Sequence, residues 1–397
     1  MVHTRRVTGL LATNIFLSGA AFAAMTPYRA IVGVDELGLS NAAFGIVMAL
    51  TAVGSACASV ALGWLSDKVA DRRILIFLCA LMGVVAFGVI WAFQTPFIFI
   101  LAFCLLVPFG NALFSQSFSY SRAFYNRTHP ERAEFTLSLL RSMFTLAWIV
   151  VPPLAGWIAA RWSAYSVFAF SAVAHVGCTL VISLLWLQPD AKIGVAAPGA
   201  NTPVTPPARI RIPAPYRFGI VGVTCAMASV QLNMVLLPLI ILRDLNGSLA
   251  QVGINASVAA AIEVPAMIGW GYLAVRVRKD VILAAASALF ALYFGLMVFV
   301  GSFVQVVLLQ AIAAVAIAAL LSINISYLQD AIPSRVGLST SLVDLSRVAS
   351  VWIAAAVFSQ NSAATYAPFI AVAALLSLAG AALMLLARRS RRLHASS

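Results

Sequence analysis

Residues 62–76 read LGWLSDKVADRRILI and place five charged side chains, Asp67, Lys68, Asp71, Arg72 and Arg73, within seven positions. On either side lie stretches that carry almost no charge, 42–66 and 73–92. A helix needs about 20 mostly apolar residues to cross the hydrocarbon core of a bilayer. In lipid the backbone must also satisfy its own hydrogen bonds, so such runs imply helices. The charged knot therefore reads as a turn between two spanning helices. Composition agrees: the 397 residues are 62% hydrophobic and 9% charged, with a mean hydropathy of +1.00, against roughly 25% charged residues in soluble domains. The sequence describes an integral, all-α membrane protein whose apolar runs are too long and continuous for barrel strands.

Windows of that length predict helices near 7–34, 42–66, 73–92, 96–123, 134–160, 164–187, 216–243, 250–275, 280–301, 304–328, 335–358 and 366–387, twelve in all. The beginning, TRRVTGLLATNIFLSGAAFAA, has the basic start and small-residue exit of a secretory signal. Its apolar segment continues past any cleavage point to Val34, and removal would leave eleven helices, so it is read as the first span. Most of the 25 basic residues fall on alternate connections, among them Arg5, Arg6, Lys68, Arg72, Arg73, Arg127, Arg132, Arg276, Arg278, Lys279, Arg388, Arg389, Arg391 and Arg392. The positive-inside rule then places both termini in the cytoplasm. The net charge of +13 is mostly this topology signal and does not imply nucleic-acid binding.

Residues 188–215 hold seven of the 17 prolines and form a cytoplasmic linker between an N-terminal bundle, 1–187, and a C-terminal bundle, 216–397. The halves echo each other. Gly63-Trp64 ends the second helix and Gly269-Trp270 the eighth, each followed by basic residues and the next span, although the second copy lacks an equivalent of Asp67. The five cysteines lie within spans without metal-ligand or redox spacing and read as small packing residues.

Polar side chains are partitioned unevenly. Helices three, nine and twelve have none of Asp, Glu, Lys, Arg, Asn or Gln in their interiors and helix six has only His175, so these four are expected to face lipid. Elsewhere lie Asn14, Asn111, Gln116, Arg122, Arg141, Gln231, Asn233, Asn255, Glu263, Asn324, Asp344 and Arg347. A charge at mid-membrane costs about 2.5–3.5 kcal/mol on insertion scales, so such residues line a cavity or pair with one another. In helix four Asn111, Ser115, Ser119 and Arg122 share one face, as do Ser138, Arg141, Thr145 and Trp148 in helix five.

Two readings of these stripes stand side by side, a cavity wall and helix-packing glue. Arg141 is too far from either helix end to snorkel and favours the cavity. Asp344 and Arg347, at i and i+3, either neutralise each other or serve a coupling role inside the membrane. Glu263, two residues before Pro265, either does the same or braces a kink. Tyr28, Trp148 and Tyr327 could stack on the apolar face of a bound ring or serve as core packing. No nucleophile–base pair, metal-ligand spacing or nucleotide loop appears, so no enzyme, cofactor or metal is expected.

Six helices repeated, with charged turns after the second and eighth, is the architecture of the major facilitator superfamily. The turn resembles that superfamily's loop signature at Gly63, Leu65, Asp67, Lys68, Arg72 and Arg73, with Val69-Ala70-Asp71 adding one residue. In detail SDKVADRRILI is similar to the loop of the bacterial sugar efflux transporters, as are LRSMFTLAWIVVPPLA, IEVPAMI and LQDAIPSRVG further along. In helix five Val151, where the efflux signature has glycine, precedes Pro152-Pro153. The resemblance implies a monomeric exporter of sugars or small glycosides in the bacterial inner membrane, driven by inward proton flow and working by alternating access. The alternative is a multidrug or antibiotic exporter of the same fold. It further implies a gating latch built from Asp67, Asp71, Arg72 and Arg73 opposite the start of helix eleven.

Overall fold

The computed structural model describes residues 2–66, 68–194, 214–332, 336–360 and 366–395. Twelve helices long and apolar enough to cross a membrane are present among them. They are α1 (Val2–Met25), α2 (Asn41–Ser66), α3 (Arg73–Phe93), α4 (Pro96–Thr128), α5 (Ala133–Arg161), α6 (Ser166–Trp186), α7 (Ala214–Leu239), α8 (Leu249–Leu273), α9 (Lys279–Met297), α10 (Phe303–Gln329), α11 (Val336–Ser359) and α12 (Ala367–Ala395). No strand occurs among the described residues.

Prolines shape the departures from the expected spans. The first helix was expected to run to Val34 but stops at Met25. Pro27 has no amide hydrogen to give the carbonyl of Ala23, so the chain turns at 26–28 and resumes in a wider π-helical turn, Ile31–Glu36. A second π turn, Ile240–Asp244, follows α7 and marks the same place in the second half. Within α4 a third, Ala102–Leu106, precedes Pro108. There the Val107 amide bonds Ala102, which frees the Phe103 carbonyl, and the Thr51 hydroxyl of α2 donates to it at 2.9 Å. Starts are capped locally: Ser248 and Gln251 form a reciprocal capping box on α8, and Ser302 caps α10.

Helices three, six, nine and twelve were expected to be the lipid-facing ones, yet burial does not set them apart: α3, α6 and α12 are 44%, 50% and 39% buried over their most apolar stretches, inside the range set by the other helices. The most apolar stretch of α9 is 61% buried, against 33% for α5 and α11 and 22% for α8.

The chain forms two compact units. Unit 1 comprises Met1–Leu39, Leu50–Val204 and Val252–Ser257. Its core gathers Leu11, Ile15, Leu75, Ile76, Leu113, Tyr120, Leu140 and Ile182 from α1, α3, α4, α5 and α6. The α8 segment belongs here because Gly253 lets its backbone meet the Pro152 carbonyl, where any side chain would collide. The neighbouring Ser257 hydroxyl donates to the Ile149 carbonyl, a group that Pro153 leaves without its helical donor. His175 packs in this unit against Gly83, with Nδ1 2.8 Å from the Ser171 carbonyl. Unit 2 comprises Ser40–Ala49, Thr205–Gln251 and Val258–Ser397. Here Gly45 of α2 closely approaches the Ala355 carbonyl of α11. Phe44 and Phe358 meet edge to face at 6.0 Å beside it. Ser229 and Ser377 join α7 to α12 at 2.8 Å.

Candidate functional site

In unit 1, α4 is two-faced. Gln116, Ser117, Tyr120 and Ser121 are buried, and Ser117 accepts a 2.8 Å bond from Asn14 of α1. The opposite face leaves Ser115, Ser119 and Arg122 exposed and Asn111 half-buried. On α5, Arg141 is exposed and Trp148, two turns on, is half-buried. The guanidinium of Arg141 lies over the Phe118 ring, 4.9 Å from its centroid. Trp148 lies 5.9 Å from Phe22 of α1. The hydroxyls between them bond their own helix, Ser142 to the Ser138 carbonyl and Thr145 to that of Arg141. Arg122 sits 3.6 Å from Glu134, an exposed pair at the far end of the stripe. Tyr28 is fully buried and its hydroxyl donates to the Pro152 carbonyl at 3.4 Å, which makes it a wall of unit 1.

In unit 2 the expected residues divide in the same way. Asn233 is buried and accepts from the Tyr293 hydroxyl at 3.1 Å, a tie between α7 and α9. Gln231, two residues earlier and on nearly the opposite side of the helix, is half-buried. Asn324 of α10 is buried, and its Oδ1 has no partner among the described residues. Glu263 is half-buried and makes no ion pair among the described residues. Asp344 and Arg347 pair at 3.2 Å with 45% and 54% of their side chains exposed. Their i, i+3 spacing on α11 matches that of Ser138 and Arg141 on α5, so each fifth helix carries an arginine and only the second has an acid three residues before it.

Sequence reasoning missed Arg29. It follows the break in α1, and its Nε is buried without a hydrogen bond among the described residues. An arginine inside an apolar run was the available signal.

The charged turn between α2 and α3 is built as a clasp. Asp67 lies outside the described residues. Arg73 is buried and its Nε and Nη2 grip both oxygens of Asp71 at 2.8–3.1 Å. Its Nη1 reaches the Leu185 and Gln188 carbonyls at 2.9 and 3.1 Å, capping the end of α6. Burial pushes the Asp71 carboxyl up, but the hydrogen bonds and charge of Arg73 outweigh this and hold it below the usual carboxylate range. Arg72 donates from Nε to the Ser66 carbonyl and from its amide to Ile193. Arg127 bonds the Asp190 and Lys192 carbonyls, and the Tyr120 hydroxyl that of Ala191. Of the expected gating residues Arg72 and Arg73 thus bond Leu185, Gln188 and Ile193, and the α11 start they were expected to oppose adjoins residues 333–335, which lie outside the described residues.

Unit 2 repeats the clasp with its charges exchanged. The buried acid is Asp280 at the start of α9, paired with Arg278 at 3.1 Å and with Arg391 of α12 at 2.9 Å. Arg391 also donates to the hydroxyl of Tyr327 at 3.1 Å. Tyr327 is therefore a clasp residue, as is its counterpart Tyr120. Lys279 pairs with Asp330 at 2.6 Å.

Comparison with known proteins bears on what such an arrangement serves. Residues 10–216 and 219–397 match the family model described as Major Facilitator Superfamily. The chain is 30% identical to sugar efflux transporter C of Escherichia coli over 86% of its length and 85% of that protein. It is 30% identical to sugar efflux transporter B of Salmonella typhimurium over 82% and 81%. A crystal structure of the peptide transporter POT with alafosfalin superposes with a TM-score of 0.80, covering 98% of this chain and 94% of that one. At 15% identity that likeness speaks for the fold alone. Two six-helix repeats, polar stripes on otherwise apolar spans and matches across both halves lead to one assignment: the chain belongs to the major facilitator superfamily, among the bacterial sugar efflux transporters.

Proposed function

We propose that the protein exports sugars or small glycosides across the bacterial inner membrane by proton antiport and alternating access, with both termini cytoplasmic. The relatives' names give the substrate class. The observation that carries the reading is Arg141. It is a cationic side chain on the open polar face of α4 and α5, two turns from Trp148 on the same helix face, and no carboxylate among the described residues occupies its N–H groups. Five fixed donors suit a polyhydroxylated ligand, and an indole suits the apolar face of a pyranose ring. Glu263, half-buried and without an ion pair among the described residues, and the exposed Asp344–Arg347 pair are the acids through which protons would be exchanged. The protein acts as a monomer in this reading.

A ligand that binds the folded state raises apparent stability by mass action. Thermal unfolding of purified protein against sugars, glycosides and cationic drugs is therefore expected to show shifts with sugars or glycosides. Shifts confined to cationic drugs would replace the sugar reading with drug export.

A further inference from the structure

We propose that Phe118 positions Arg141 for its ligand, with an aromatic ring face serving where a carboxylate counter-ion would otherwise stand. The inference rests on the reading of Arg141 as a sugar contact. Among the described residues of unit 1 the guanidinium makes no ion pair: Glu134 is engaged with Arg122, and Asp71 with Arg73. What it does meet is the Phe118 ring, at a centroid distance of 4.9 Å, within the range of about 6 Å over which a ring quadrupole attracts a cation.

The ring is itself held. Phe118 stacks on Phe114 at 5.9 Å, and Phe114 is wedged against Phe144 at 4.3 Å. Phe144 lies three residues beyond Arg141 on the same side of α5, and Phe114 lies one turn before Phe118 on α4. The three rings pack against the apolar core of the bundle, so the platform is anchored on its far side. The helices that bear the arginine and its support are thus locked together by the support's own neighbours.

The choice of a ring over a carboxylate matters chemically. A carboxylate would take two guanidinium N–H groups in a bidentate pair and compete with hydroxyl ligands for them. A ring face attracts the cation while leaving its N–H donors unspent. A neutral sugar could then bind without first displacing an acid, and Phe118 would set the orientation of the donor fork.

Affinity for phenyl β-glucoside, a probe with both hydroxyls and an apolar ring, is measured on purified full-length wild-type, Phe118→Leu, Phe118→Tyr, Arg141→Ala and Phe118→Leu/Arg141→Ala proteins. Thermal unfolding without ligand is followed in parallel. Phe118→Leu is expected to weaken binding about two- to thirtyfold, the span of ring–cation contacts. Phe118→Tyr, which keeps a ring face, should restore it, and the leucine change should cost nothing further once Arg141 is alanine. Binding by Phe118→Leu equal to wild type would overturn the proposal. So would equal losses with leucine and tyrosine, or the same loss in the Arg141→Ala background, since packing alone would produce them. Failure of the wild-type protein to bind the probe would remove the sugar reading and this inference with it, whereas binding that survives Phe118→Leu removes the inference alone.

Discussion

Arg141 and Asp71 show how the surroundings of one charge decide what it can do. Arg141 rests on a ring and keeps its donors, whereas Asp71 is gripped by Arg73 through both oxygens. If Arg141 contacts the sugar, Arg141→Lys keeps the charge but loses the planar fork. Hydrogen bonds to charged groups contribute about 1.5–3 kcal/mol, so sugar affinity should fall roughly tenfold or more while the protein stays folded. Unchanged affinity in titrations of the lysine variant would make Arg141 a counter-ion only. For Asp71 the sign follows from its depressed carboxyl. The pair's contribution to stability is fully present above the ordinary carboxylate pKa of about 3.9 and is lost as pH falls through the lower folded value. Acid unfolding of Asp71→Asn should therefore show less loss of stability below about pH 4 than wild type, with parallel curves at neutral pH. Identical acid limbs would contradict the clasp.

The helices were legible because their signal is coarse: twelve apolar runs of spanning length survive an error of several residues at each end. The break in α1 was less so, although Pro27 announced it, because hydropathy continues unbroken across the turn. The polar faces of α4 and α5 could be read from helical spacing, and the exposure of Ser115, Ser119, Arg122 and Arg141 follows it. The buried clasp of Asp280 and Arg391 could not. Its members are far apart in the chain, and each arginine alone resembles an ordinary topology signal. Nor does spacing tell a ligand-facing asparagine from one that ties two helices, as Asn233 does through Tyr293. If the α4 stripe lines water, single cysteines at Asn111, Ser115, Ser119 and Arg122 in a cysteine-free background should react with a membrane-impermeant thiol reagent. Cysteines at the buried Ala112 and Leu113 should be protected. Uniform protection of the stripe would make it packing surface.

At the scale of the whole molecule, duplication explains what is shared and divergence what is used. Both halves keep a π turn after their first helix, a clasp joining the start of their third helix to the end of their sixth, and an arginine on their fifth. They differ in the acids: Glu263 and Asp344 belong to the second half, and Arg141 in the first half makes no ion pair among the described residues. That asymmetry suits a division of labour in which one half grips the sugar and the other handles protons. The most direct test is uptake of radiolabelled sugar by everted inner-membrane vesicles whose interior has been acidified, with and without a protonophore. The account predicts accumulation inside the vesicles that requires the acid interior and collapses with the protonophore, and its loss in Glu263→Gln or Asp344→Asn. Accumulation that ignores the gradient would contradict proton antiport, and no sugar movement with active protein present would contradict sugar export itself.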